Sequence, residues 1–424
     1  MGVNTALLTG DITKFLITSN TSGEKDVRRL ITEFNYEESV FDASLRARAS
    51  ILDAGAEPGG GNVSSVYNEL KLAGGEKVQI GFKDNYGKQY NLEMYIDEIV
   101  GLSNSTKVQQ YTITLCTKEL LMNESKRVRK KFEGKISDSV RTILVRDLGT
   151  SKVLMADETI NKFNFLGANY KPFYWCLSLA TKAIPFKKGQ VAGYLFFETY
   201  YGYNFKSIDE LFKKNGVIFK FIYTETTDKI PAGFDAKILD YSFDSNINFQ
   251  QNLQKGTYNT ETFDHNPYDQ KYKETGFSVE DQEGGIKKAA KTNISKRINS
   301  IFTENPSRYF TYIKDIGTQP EGSNLKTQLE KVDEQNLELT DTVSQSTMRY
   351  QQAFSIQLSI TIGGNMSVNA GDMVYIEIPE VSAGNTPKGE KTNSGLYMVS
   401  ELCHKLTPSR MATKLILVRD SYDK

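Results

Sequence analysis

The sequence predicts an α+β, mainly β protein built on two related antiparallel β-barrel, tube-like domains with two α/β insertion domains. Three observations predict it. A β-patterned stretch from Gly75 to Glu119 recurs near the end of the chain. Both copies alternate apolar and polar residues with a period of two, as half-buried antiparallel strands do. The intervening stretches lack that alternation and carry helical or strongly polar patterns instead.

The first copy opens Gly75-Glu76-x-Val78-x-Ile80 and the second Gly371-Asp372-x-Val374-x-Ile376. Met94-x-Ile96-Asp97-Glu98-Ile99 is matched by Tyr397-x-Val399-Ser400-Glu401-Leu402. Thr112-x-Thr114-Leu115 to Glu119 is matched by Thr413-x-Leu415-Ile416 to Asp420. Each copy predicts a three-stranded meander with a further strand before it, over Leu45–Leu52 and Phe354–Ile362. Burying one such aliphatic or aromatic side chain is worth about 1.5–3 kcal/mol. One meander cannot cover its own apolar face, so each must close into a barrel or meet a second layer.

The order along the chain divides it into residues 1–122 as the first barrel and 123–215 as an α/β insertion. Residues 216–263 with 343–424 form the second barrel, and 264–342 a polar, partly loop-like insertion. Within 1–122, Pro58-Gly59-Gly60-Gly61 lies in a loop. No Gly-Lys-Ser/Thr follows it, so it is not a phosphate loop. In the α/β insertion a helix is predicted from Ser137 as cap, with Ile136, Val140, Ile143, Leu144 and Leu148 on one face and Gly149 as stop. A second helix begins at Pro172, carries Trp175 and runs to Pro185. Strands follow over Gly193–Thr199 and Tyr203–Phe205. Ser207-Ile208-Asp209-Glu210 is a capping box opening a short helix that Gly216 ends. Met348, Gln351 and Gln352 lie on a helix leading into the second barrel, whose first hairpin carries the long loop Val381–Asn393.

At 424 residues the chain is long enough for two to four domains. Lys plus Arg and Asp plus Glu number 52 each, so the chain has no overall basic footprint for nucleic acid. The 23 Tyr and 23 Phe exclude wholesale disorder and suit strands and contact surfaces. No apolar run approaches the ~18 residues of a membrane span, and the amino-terminal stretch lacks the basic region of a signal peptide. Cys116, Cys176 and Cys403 are too few and too scattered for a disulfide framework, which implies a reducing compartment. With His265 and His404 the sole histidines, a zinc site is short of ligands, and His404 is expected to be a packed or interface imidazole.

No Gly-x-Ser-x-Gly, His-Glu-x-x-His or dinucleotide fingerprint occurs. The pairs Asp97-Glu98 and Asp209-Glu210 have structural explanations as a strand end and a helix first turn. No catalytic, cofactor-binding or metal-ligating residue is therefore assigned, and the chain is read as no enzyme. The basic run Lys126, Arg127, Arg129, Lys130 and Lys131 is either a polyanion contact or a solvated or subunit-facing edge; without aromatic interleaving the edge is favoured.

The order of these motifs resembles the baseplate hub subunit of T-even-type contractile-tailed bacteriophages. The residues that carry the likeness are the early Glu76-x-Val78-x-Ile80 and Tyr111-Thr112-x-Thr114, then Gly134-Lys135-Ile136 and the Pro172-Phe173-x-Trp175 helix. Tyr194-x-Phe196-Phe197-Glu198 with Gly202-Tyr203-x-Phe205 and the ending Gly371-Asp372, Ser394-Gly395-x-Tyr397 and Thr413-x-Leu415 complete it. The likeness spans nearly the whole chain in order, and segment 264–340 matches least. It implies a homotrimer whose six barrels form a pseudo-sixfold ring. That ring would join a hexameric tail tube or tube initiator to a trimeric central spike and let genomic DNA pass. It implies a place in the virion tail baseplate, assembled in the host cytoplasm, with no cofactor. Loop 381–393 would then reach an axial neighbour. Two other classes stay open: a carbohydrate- or receptor-binding β-sandwich using Tyr200–Tyr203, and a cell-wall hydrolase.

Overall fold

The computed structural model describes residues 9–54, 64–105, 108–187, 191–213, 219–224, 230–243, 248–267, 270–278, 286–290, 292–315, 317, 324–330, 336–337, 339–379 and 393–422. The loop around Pro58–Gly61, residues 381–392 of the long hairpin loop, and Gly216 lie outside the described residues.

Twelve strands carry the architecture. In chain order they are β1 (Asp11–Thr18), β2 (Ile31–Ser39), β3 (Arg46–Asp53), β4 (Lys77–Lys83), β5 (Gln89–Asn104) and β6 (Gln109–Cys116). The later six are β7 (Phe219–Tyr223), β8 (Ala236–Ser242), β9 (Ile356–Gly363), β10 (Met373–Glu377), β11 (Gly395–Thr407) and β12 (Arg410–Arg419). The first six pair in the order β1-β4-β5-β6-β3-β2, and the later six in the order β7-β10-β11-β12-β9-β8. Each strand thus takes neighbours in the same sequence as the strand six places on. The later set closes on itself, because β7 also pairs with β8, and forms a six-stranded barrel. In the earlier set β1 runs antiparallel to β4, whereas β7 runs parallel to β10. The outer side of β2 pairs not with β1 but with β11 of the barrel.

The alternation seen in the sequence is what the fold buries. Val78, Ile80 and Phe82, then Tyr111, Ile113 and Leu115, are buried, as are Val374, Ile376, Tyr397, Val399, Leu415 and Leu417. All belong to one apolar core that runs through both sets.

The Gly-acid opening is the same device in both. Gly75 and Gly371 have φ of 78° and 89°. Gly75 N–H donates to Ile96 O at 2.7 Å, and Gly371 N–H to Val399 O at 2.8 Å. Ile96 N–H donates to Glu76 O, and Val399 N–H to Asp372 O. The carboxylates turn back on the preceding turn: Glu76 accepts from Ala73 N–H at 2.7 Å, Asp372 from Asn369 N–H at 2.8 Å. Each long strand then bulges at the next residue, Asp97 in β5 and Ser400 in β11.

Between the two sets lies the α/β unit. Strands Tyr194–Thr199 and Gly202–Ser207 form a hairpin joined by Leu154–Ala156, and Tyr194, Phe196 and Phe197 are core residues. Ser207 Oγ accepts from Glu210 N–H at 3.2 Å, the expected cap. The first helix differs from expectation. It begins at Ile136 with Lys135 as its capping residue, and Ser137 N–H is satisfied by Thr159 Oγ1 at 3.1 Å. The Pro172 helix ends at Ala180, short of Pro185: Lys182 N–H turns to Leu179 O at 3.1 Å, and Ile184 N–H is then taken by Asn161 Oδ1 at 2.9 Å. In the polar stretch, Asn259–Asn266, Lys271–Ser278 and Arg308–Ile313 make a three-stranded sheet against which helix Leu339–Ala353 rests.

The paired glycines yield a contrast. An alanine at 75 meets open space, so Gly75→Ala costs only left-handed strain of about 1–2 kcal/mol. At 371 the added carbon lies 3.1 Å from Phe197 Cζ and 3.3 Å from Leu211 Cδ2. Gly371→Ala is expected to lose a further ~1–3 kcal/mol in urea denaturation; equal losses would contradict this packing.

Candidate functional site

The buried junction where the first set, the barrel and the α/β unit meet is the candidate site. Strand β11 builds it. Gly395–Met398 pair with β10, and Glu401–Leu406 pair on the same edge with β2. The change of partner falls at the Ser400 bulge, where Ser400 O accepts from Val40 N–H at 2.9 Å.

Glu38 on β2 is the polar centre of this seam and is 2% exposed. Its Oε1 accepts from Tyr36 Oη at 2.7 Å and from Tyr200 N–H at 2.8 Å; its Oε2 accepts from Ala370 N–H at 3.0 Å. One carboxylate therefore ties the first set to the α/β unit and to the turn before β10. Burial pushes its pKa up to about 7, against the pull of these three donors. Around it Tyr90 stacks on Tyr200 at 3.8 Å and donates to Met366 O at 2.7 Å. Tyr36 stacks on His404 at 5.9 Å. His404 shares a hydrogen bond with Thr413 Oγ1 at 2.9 Å, and its other nitrogen is buried with no partner among the described residues. Burial holds its pKa down to about 3, so the ring is neutral, the packed imidazole the sequence suggested.

Two charged clusters fasten the outer parts. Arg349, on helix Leu339–Ala353, is 1% exposed. Its Nη1 donates to Asp420 at 2.7 Å, its Nε to Asp209 at 3.1 Å and its Nη2 to Lys287 O at 2.6 Å. It joins the end of the barrel chain to the α/β unit and the polar segment. Asp209 is pushed up by burial while Arg349 pulls it back. The capping-box acid is thus also a partner of a buried guanidinium, which sequence spacing could not reveal. At the other root of the α/β unit, Lys152 Nζ bridges Glu119 at 2.7 Å and Glu198 at 2.5 Å. Glu198 also accepts from Leu45 N–H and Thr117 Oγ1, both at 3.1 Å.

General acid–base chemistry needs a group within hydrogen-bond reach of a substrate proton. Glu38 and His404 are sealed and already engaged with protein atoms, so what they can do is hold parts together. An open cleft of about 510 Å³ runs along the seam, lined by Glu37, Asp42, Glu401, Cys403 and Lys414 among others. Cys116 and Cys403 are pushed up to about 12, chiefly by burial. Among the described residues no group of three or more His, Cys, Asp or Glu is placed to hold a metal ion, and no helix is long and apolar enough to cross a membrane. The basic run sits on the outer side of the α/β unit: Lys131 pairs with Glu133, and Arg129 donates to Asn169 Oδ1.

Arg349→Met should cost about 3–5 kcal/mol, since it strands two buried carboxylates; calorimetry reads this, and a neutral result would remove the cluster from the account. The pH dependence has two opposed limbs. Glu38 lies above its ordinary 4.5, so its contribution is full below that value and lost as pH rises through about 7. His404 lies below its ordinary 6.5, so its contribution is present above 6.5 and lost as pH falls through about 3. His404→Phe is expected to flatten the acid limb of unfolding free energy between pH 6.5 and 3; an unchanged slope would refute the assignment.

No family model matches the chain, and no curated protein matches it. Solved structures do match in fold. The tail protein from Neisseria meningitidis MC58 is 8% identical, with 97% of each chain covered and a TM-score of 0.55. The 43 kDa tail protein of prophage MuSo2 from Shewanella oneidensis is 9% identical, covers 97% of this chain and 99% of its own, and has a TM-score of 0.54. At this identity the likeness is one of fold: the chain shares, over nearly its whole length, the architecture of these two tail proteins.

Proposed function

We propose that this protein is a structural hub subunit of a phage-type contractile tail baseplate. Its six early strands are a second, opened barrel related to the closed one by duplication. Three chains then present six similar units in a pseudo-sixfold ring, on which a hexameric tube or tube initiator can stack. The α/β unit of residues 123–215 and the polar segment 264–342, each present once per chain, give the ring a threefold face for a trimeric spike. The bore passes DNA, and few exposed basic side chains line it, because phosphate attraction would slow transit.

The observation that carries this reading is the repeated order of strand pairings, with the Gly-acid hydrogen bonds and the bulge at equivalent places. Likeness in fold to two tail proteins, one of them from a prophage, over 97% of this chain supports it independently. The role is one of assembly, without catalysis, cofactor or metal, in a virion tail built in the host cytoplasm.

Sedimentation velocity with negative-stain imaging tests the reading. A three-chain particle with a central hole and six-lobed projection is expected. A particle of another symmetry, or a solid one, would overturn it.

A further inference from the structure

In the sequence the basic run from Lys126 to Lys131 has no aromatic residue among its cations. The fold brings aromatic residues to it from the stretch that leads into helix Pro172–Ala180. Val128 forms an antiparallel bridge with Tyr170, and its N–H donates to Tyr170 O at 2.9 Å. Further along, Lys131–Phe132 pairs with Phe165–Leu166. Lys126 and Lys130 stand two residues either side of Val128, and both are exposed. Tyr170 stacks on Tyr174 with ring centroids 4.4 Å apart, and both rings stand edge-on to Trp175. Each tyrosine is 49% exposed, and Leu177, about one helical turn beyond Tyr174, is 43% exposed. Exposed apolar residues scattered singly need no explanation, but a contiguous group marks a contact site.

The charge beside this group is unbalanced. Lys131 pairs with Glu133, and Lys171 with Glu124. The other cations of the run have no acid within ion-pair distance among the described residues. Arg127 donates to the carbonyls of Glu124 and Lys126, and Arg129 to the side-chain amide oxygen of Asn169. In a chain whose charges cancel overall, this is a local positive field beside an exposed aromatic pair.

We infer that the Tyr170–Tyr174 pair and Leu177, bordered by Lys126, Arg127, Arg129 and Lys130, form a docking site for an acidic segment of a partner protein that also carries apolar side chains. Tyrosine and arginine are enriched at protein interfaces, where a few aromatic anchors inside a polar rim carry most of the binding energy. The field fixes the sign of the partner, because opposite charges steer an encounter and like charges penalise it. A single-stranded nucleic acid would lay its bases on free ring faces. Here each tyrosine gives one face to the other, and Leu177 offers no ring at all. The surface is the same whether or not three chains form a ring.

The test uses the full chain. Trp175 is its single tryptophan and lies against both tyrosines, so its emission locates the contact, while isothermal calorimetry measures each affinity. The probes are a short peptide of glutamates interspersed with leucine and phenylalanine, the same peptide with glutamine for every glutamate, and an oligothymidylate of equal charge. The acidic peptide is expected to bind and shift the Trp175 emission, and the glutamine peptide to do neither. Affinity should fall about tenfold in Tyr174→Ala/Leu177→Ala. It should fall as well in Lys126→Ala/Lys130→Ala, with a weaker dependence on salt. The replaced side chains are exposed, and circular dichroism checks that both variants fold. Tighter binding of the oligothymidylate than of the acidic peptide would overturn the protein partner in favour of a nucleic acid. An acidic peptide that does not bind, or that binds no better than its glutamine form, would overturn recognition by charge. Unchanged affinity in both variants would put the contact elsewhere and overturn the assignment. Sedimentation of the chain alone, which tests the ring, is untouched by any of these results.

Discussion

The fold depends on one strand serving two sheets. Gly395–Thr407 completes the barrel with its first residues and then, past Ser400, carries the first set of strands on the same edge. A bulge is what makes this possible, because the extra residue bends the strand and increases its twist, so one edge can follow two different neighbours. Everything around the seam answers to that geometry. Glu38 satisfies the backbone of the turn before β10 and of the Tyr200 corner, and Tyr36 and His404 stack across the join.

Charge is used at depth for attachment. The Arg349 and Lys152 clusters lie where separate segments converge, and their acids come from parts of the chain far apart in sequence. Such clusters are weak sources of net stability, since desolvation offsets the attraction, yet removing one partner is costly. Apolar burial supplies the bulk of the cohesion, through a core that runs without interruption from the first set into the barrel.

The neutral overall charge is consistent with this division. Within the basic run that stands out in sequence, Arg127 donates to Glu124 O and Lys126 O, and Lys131 pairs with Glu133. At the Tyr200–Tyr203 corner, the stretch that suggested a sugar-binding surface, the rings are largely engaged with the protein itself. Tyr200 lies flat on Tyr90 and Tyr203 is buried, leaving Tyr201 exposed at that corner.

The meanders, the helix starting at Pro172, the Ser207 cap and the recurrence of Gly-acid openings were legible because each is local: alternation, ring geometry and a short hydrogen bond lie within a few residues. Ser137 misled because its helix start is satisfied by Thr159, twenty-two residues away. Strand β1 escaped notice because Asp11–Thr18 buries only Phe15 and Ile17, too short a pattern to stand out. By itself, then, the chain of residues determined its strands, their repetition and the mainly β class, for these follow from spacing. Which edge meets which was decided by the tertiary structure alone. The same alternation permits β1 to run either way against its neighbour and β2 to close its own set or join the barrel. Only the competition among all strands for hydrogen-bonding partners and for one shared core resolves that choice.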